Sequence, residues 1–213
     1  MIPVQQQPEP PDFAQQVRNP GQKFLSENSS PTSPQWRGKE YWQRVLPDMR
    51  KAYKGICAYS ASWIPHSTGN HSIDHFIPKS RQPELAYEWD NYRYSSLRFN
   101  ARKGTYSVVD PFKLLPNSFV LDFRSFFIKP NPKLSPKEQK TLQETIKRLK
   151  LNDDEDLVVE RQACCSYYFN NEISFSHLQQ RYPFVAFELE RQNMLRNKQD
   201  DLVKSQKTVN CKR

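Results

Sequence analysis

Ser72-Ile73-Asp74-His75-Phe76-Ile77-Pro78-Lys79-Ser80, Tyr87-Glu88-Trp89-Asp90-Asn91-Tyr92 and Asn100-Ala101-Arg102-Lys103-Gly104 are three parts of one stretch, residues 72–104, whose reading decides the fold. Ile73 to Phe76 reads as a short strand ended by Pro78, which has no N–H to give to a ladder. Lys79 to Leu85 reads as a loop, and Tyr87 to Tyr94 as a second strand. Ser95 or Ser96 then caps a short helix, Leu97 to Lys103, with Gly104 as its C-terminal stop. The order is strand, loop, strand, helix. With helical patterns before and after it, the chain belongs to the α+β class.

The polar residues of this stretch suggest phosphodiester chemistry. Cutting such a bond needs a water deprotonated near neutral pH, and an imidazole at His75 suits that task. It also needs a cation to balance charge on the phosphate and the leaving oxygen. Hard cations such as Mg²⁺ take oxygen ligands and keep several waters. Asp74 offers a carboxylate oxygen and Asn100 an amide oxygen. Neighbours on a strand point to opposite faces, so Asp74 and His75 share one point only if the strand ends or bends there. A phosphate held between them would have base and cation on opposite sides. Asn91 either clamps the loop after His75 through its backbone or orients the imidazole ring. Taken alone, an Asp-His pair, an Asn in a turn or an Asn-x-x-Lys at a helix end is commonplace; the ordered combination carries the reading.

Outward from this stretch, residues 1–35 are rich in Pro, Gln, Ser and Asn and read as an extended, partly disordered arm. Phe13, Val17, Phe24 and Leu25 are placed to pin part of it to the body. Trp36 to Tyr53 turns helical, with Tyr41, Trp42, Val45, Leu46 and Met49 on one stripe and Pro47 kinking or splitting it. Ile56-Cys57-Ala58-Tyr59 reads as a short buried strand and residues 65–71 as turns. Phe119 to Phe127 alternates as one or two strands. Ser135-Pro136-Lys137-Glu138 is a capping box with Pro at the first helical position. Further helices open at Asn152–Glu155 and at Pro183. The expected divisions are the arm 1–35, a core 36–110, a mainly helical region 111–197 and a polar tail 198–213.

Apolar residues make up only 36%, but 13 Phe, 10 Tyr and 4 Trp allow a modest core because each buries a large area. The formal charge of +9 favours an anionic partner, nucleic acid being the commonest. Arg93, Arg98, Arg102 and Lys103 crowd the end of the opening stretch. Cys57, Cys164, Cys165 and Cys211 make neither a disulfide framework nor a zinc pattern; Cys164 and Cys165 read as core residues. The start, Met-Ile-Pro-Val-Gln-Gln-Gln-Pro, lacks the pattern of a signal peptide, and no run of about 18 apolar residues suggests a span. A reducing cytoplasm is the expected location. Among the other histidines, His71 is placed to reach substrate, while His66 and His177 read as surface or packing residues. Asp110 reads as a turn residue before Pro111.

The stretch resembles the HNH endonucleases, the ββα-metal nucleases. The resemblance lies in Cys57-Ala58-Tyr59, Ile73 to Ser80, Glu84 to Arg93 and Asn100 to Gly104, so residues 36–110 would hold the nuclease core. It is nearest to HNH proteins of bacterial anti-phage systems, including the PtuB type; Asp110-Pro111-Phe112 and Tyr182 to Glu188 also resemble that group. The resemblance implies that His75 is the general base and Asn91 the catalytic-site asparagine holding the loop. Asp74 and Asn100 would bind Mg²⁺ or another divalent cation such as Mn²⁺. Lys79, Arg98, Arg102 and Lys103 would hold the nucleic-acid backbone. Many relatives brace the site with zinc on two C-x-x-C pairs. Here those positions read Cys57, Ser60, Ser96 and Phe99, so no structural zinc is expected and Phe99 would pack in its place. The implied partner is DNA, with RNA left open, and an ATPase subunit. Two other readings stand beside the nuclease: a degenerate module that binds nucleic acid without cutting, and an interaction subunit for the ATPase.

Overall fold

Pro20 sits in the first turn of helix α1, Asn19–Glu27, where its missing N–H costs nothing. A wider helical turn, Ala14–Arg18, leads into it. A tighter turn, Tyr41–Val45, precedes α2, Leu46–Ala52, and Pro47 marks the join, as expected of a residue that cannot sit inside a helix. Strand β1, His71–His75, pairs antiparallel with β2, Tyr92–Ser96, setting Asp74 opposite Arg93 and His75 opposite Tyr92. Helix α3, Leu97–Lys103, follows directly and ends at Gly104 with a φ of 52°. A second small sheet joins β3, Phe119–Asp122, to β4, Phe127–Pro130. Helices α4, Pro136–Leu149, α5, Glu155–Phe169, α6, Phe175–Arg181, and α7, Pro183–Arg191, complete the chain. This is a mixed α+β structure with seven α-helices and two antiparallel sheets among the described residues.

The computed structural model describes residues 1–196. The expected polar tail, 198–213, lies outside the described residues, as does Cys211. Among the described residues no helix is long and apolar enough to cross a membrane.

Three local expectations differ from the structure. Residues 14–27 of the expected arm are helical, and Phe13, Val17 and Phe24 are buried in the main core. The Pro and Gln content misleads here because a few large apolar side chains anchor the segment. Trp89 Nε1 donates to the Gln7 carbonyl at 2.8 Å and Arg18 pairs with Glu88 at 3.0 Å, which ties the segment down further. Ile56 to Tyr59 forms one bridge, Ile56 to Trp63, in place of a strand. Positive φ at Gly55 and Ala61 turns the chain back too soon for a ladder. The second strand starts at Tyr92, since a tight turn at Trp89–Asn91 occupies the residues before it. Helix α6 was not expected, although Ser174 is a sequence signal for it: its hydroxyl accepts from the His177 N–H.

The N-terminal segment matters because it floors the first sheet. Trp36, Trp42 and Tyr87 pack ring against ring, with centroids 5.8–6.1 Å apart, beneath α1. Gly21 lets α1 approach Tyr87: a Cβ there would lie 2.1 Å from the ring's Cγ. Alanine favours a helix over glycine by roughly 1 kcal/mol. The clash opposes that gain, because overpacking costs about 1–3 kcal/mol. Gly21→Ala is therefore expected to lower stability in urea unfolding; a variant as stable as the parent, or more so, would show that the contact is not tight.

Candidate functional site

Asp74 and His75 leave β1 on opposite faces, as the period of a strand requires. Asp74 faces α3 and is 2% exposed. Its Oδ2 accepts a hydrogen bond from the Tyr59 hydroxyl, and its Oδ1 lies 3.1 Å from Lys103 Nζ. Lys103 also donates to the His75 carbonyl at 2.9 Å. Burial pushes the Asp74 carboxyl up, and Lys103 and the Tyr59 hydroxyl pull it back. Asn100 stands beside them on α3. Its amide nitrogen donates to the Ile73 carbonyl at 3.1 Å and to Ser72 Oγ at 3.2 Å. Its amide oxygen accepts nothing among the described residues.

His75 lies against Trp42 and Tyr92, both edge-on, with ring centroids at 4.6 and 5.4 Å. Its Nε2 is 2.9 Å from the Ala86 carbonyl oxygen. That oxygen can only accept, so Nε2 carries the proton and Nδ1 keeps a lone pair. Burial lowers the His75 pKa to about 4, helped by Lys79 and Lys103 and opposed by the Ala86 hydrogen bond. The ring is therefore neutral near pH 7.

Asn91 clamps the loop and does not touch the imidazole. Its Oδ1 accepts from the Ile77 N–H at 2.8 Å, and its Nδ2 donates to the carbonyls of Ile77 and Leu85, both at 3.0 Å. Phe76 N–H donates to the Asn91 carbonyl at 2.8 Å. The side chain is only 6% exposed, so all three of its bonds replace water. The clamp holds residues 76–91 in a shape that presents the Ala86 carbonyl to His75.

The residues expected to hold nucleic acid are differently placed. Lys103 is fully buried and cannot reach a phosphate; its charge is used inside, on Asp74. Arg102 pairs with Asp154 and donates to the Leu149 carbonyl. Arg98 pairs with Asp154 at 2.7 Å and with Asp156 at 3.2 Å. Lys79 is half-buried over the rings of Trp36 and Trp42, at 5.0 and 5.3 Å. Arg93 is buried in a bidentate pair with Asp110, both contacts at 2.8 Å. Asp110 is thus more than a turn residue, although it also caps its turn by accepting from the Phe112 N–H. Sequence reasoning missed Tyr59 and the Arg93–Asp110 pair, because no spacing rule links such distant residues. Among the positions that zinc would use in the relatives, Ser60, Ser96 and Phe99 line one hollow of about 540 Å³; Cys57 is a buried free thiol. His71 Nδ1 lies 2.8 Å from Arg50 Nη1.

The donor set suits a hard cation in kind: one carboxylate, both of whose oxygens already accept hydrogen bonds, and one amide oxygen that accepts none, for an ion that keeps most of its waters. The Lys103 ammonium competes for the same carboxylate. No group of three or more His, Cys, Asp or Glu side chains among the described residues could hold a metal. No family model matches the sequence, and no curated protein matches it.

Two outcomes follow from these contacts. Lys103→Met strands a buried carboxylate and is expected to cost about 3–5 kcal/mol in urea unfolding, with Asp74→Asn added on top restoring most of it. No recovery in the double variant would mean that the pair is not what holds α3. The second concerns His75, whose folded pKa lies below its unfolded value. Between pH 6.5 and about 4 the unfolded chain binds a proton that the folded chain does not, so stability falls as pH falls through that window. The loss is at most about 3 kcal/mol. His75→Gln should flatten the pH profile there; an unchanged profile would place the acid sensitivity elsewhere.

Proposed function

We propose that the chain is a metal-dependent endonuclease of the HNH type that hydrolyses phosphodiester bonds in DNA. The observation that supports it best is the state of His75, a neutral imidazole whose tautomer is set by the Ala86 carbonyl and whose Nδ1 is left with a lone pair. A general base needs one nitrogen held and the other free. In this reading Nδ1 takes the proton from the attacking water. Asn91 keeps the loop, and with it the Ala86 carbonyl, in place. Asp74 and Asn100 would hold the divalent cation from the other face of β1. When bound, the cation supplies positive charge to the scissile phosphate and the leaving oxygen. Base and cation ligands meet one phosphate only past the end of β1, which stops at His75. A place in anti-phage defence, with an ATPase partner, rests on the sequence resemblance alone.

A second reading, a relative that binds nucleic acid without cutting it, draws on Lys103, whose ammonium already neutralises Asp74. Assays with Mg²⁺ or Mn²⁺ on plasmid, linear DNA, single strands and tRNA separate the two. The nuclease reading expects a metal-dependent product from the parent protein and a rate about 10²- to 10⁴-fold lower for His75→Ala, with fold and affinity kept. Full plasmid cleavage by His75→Ala overturns the assignment. Binding without any metal-dependent product favours the second reading.

A further inference from the structure

A groove of about 1280 Å³ runs between the N-terminal segment, α2, the turn at Gly55 and the junction of α6 and α7. None of residues 72–104 lines it. Its charged lining is Arg50, Lys51, Lys54 and Arg181, with no Asp or Glu. None of these four cations pairs with a carboxylate among the described residues. Arg93, Arg98, Arg102 and Lys103, beside the candidate site, all do. These four cations are therefore uncompensated and face one groove, unlike those of the stretch that looked basic in sequence.

Two of the four cations are held in place. Arg50 donates to His66 Nε2 at 3.1 Å, to the Tyr94 hydroxyl at 3.0 Å and to the Ile64 carbonyl at 3.1 Å, and its Nη1 lies 2.8 Å from His71 Nδ1. None of the four partners is a carboxylate, so the guanidinium is fixed while its charge stays uncompensated. Arg181 lies 3.5 Å from the centre of the Trp63 ring, and its Nη1 is buried with no hydrogen-bond partner. A buried donor without a partner is rare in a folded protein. An anion in the groove would compensate the charge of these cations. The volume exceeds the roughly 300–1,000 Å³ typical of small-molecule sites, which suits an extended ligand.

We propose that this groove binds the sugar–phosphate backbone of a nucleic-acid strand. That the anion is a strand, and not a free nucleotide, rests on the nuclease reading; the cationic groove itself does not. Arg50 lies against His71, the first residue of β1, and His75 is the last. The groove wall and the candidate site thus stand at the two ends of one strand, about 13 Å apart at 3.3 Å per residue. That is a span of about four nucleotides at 3.4 Å each. A strand lying in the groove would enter the site at a fixed distance.

The test uses the full chain without metal, so that binding is read apart from cleavage. Lys51 and Lys54 are exposed, and their replacement leaves the core intact. Fluorescence anisotropy with a labelled single-stranded oligonucleotide compares the parent, Lys51→Gln/Lys54→Gln, Arg181→Gln and the control Lys137→Gln/Lys140→Gln on the exposed face of α4. The groove double variant is expected to bind about tenfold more weakly, with the slope of log affinity against log salt reduced by about 1.4 for two lost phosphate contacts. Arg181→Gln should also weaken binding, and the control should match the parent. Equal losses in the groove and control variants, or none in either, overturn the proposal. Displacement by adenosine monophosphate as effectively as by unlabelled strand assigns the groove to a nucleotide and overturns the strand assignment, and displacement by polyglutamate does the same in favour of a general polyanion. Weaker binding by the groove variants, together with no cleavage by the parent protein when Mg²⁺ or Mn²⁺ is supplied, sustains the groove and removes the nuclease reading.

Discussion

The Lys103 ammonium is fully buried, and the architecture of residues 72–104 depends on its being compensated. An unpaired charge in that position would cost several kcal/mol. Asp74 provides the opposite charge from β1, the His75 carbonyl provides a second acceptor, and the Tyr59 hydroxyl completes the carboxylate from a separate turn. Two five-residue strands cannot stand alone in water. The pair locks α3 across them, and with it sets Asn100 beside Asp74. Electrostatics fixes the helix on the strand here; apolar burial, with Phe99 and Ile73, fills in around it.

The other face of β1 is built on different physics. His75 rests on Trp42 and Tyr92, and Trp42 belongs to an aromatic floor that α1 covers from the N-terminal segment. The aromatic rings remove water from the imidazole and keep it neutral, while the Ala86 carbonyl chooses its tautomer. Asn91 ties both ends of the intervening loop together, so the carbonyl stays where the ring needs it. In the proposed nuclease, the base and the cation ligands are each supported by their own set of contacts.

The distribution of charge shows where sequence reading stops. Arg93, Arg98, Arg102 and Lys103 look like a basic patch in the chain, yet each is matched to a carboxylate that lies 17 to 58 residues away in sequence. Asp154 alone receives Arg98 and Arg102. Residue type and order were enough to nominate Asp74, His75, Asn91 and Asn100 as a group. They were not enough to find Tyr59, or to decide between the two tasks open to Asn91. A partner across a fold leaves no periodic trace, and an asparagine offers the same donors and acceptor in either role.

By itself the sequence determined what depends on near neighbours. The capping box at Ser135, the split at Pro47, the stop at Gly104 and the strand–loop–strand–helix order all follow from backbone preferences acting over a few residues. Tertiary structure alone decided which charges are used internally, that the N-terminal segment is helical and docked, and why a glycine sits inside α1. Gly21 serves a ring at Tyr87, and Lys103 serves a carboxylate at Asp74. Burial and charge compensation act between groups brought together only when the chain has folded, so propensity and spacing cannot report them.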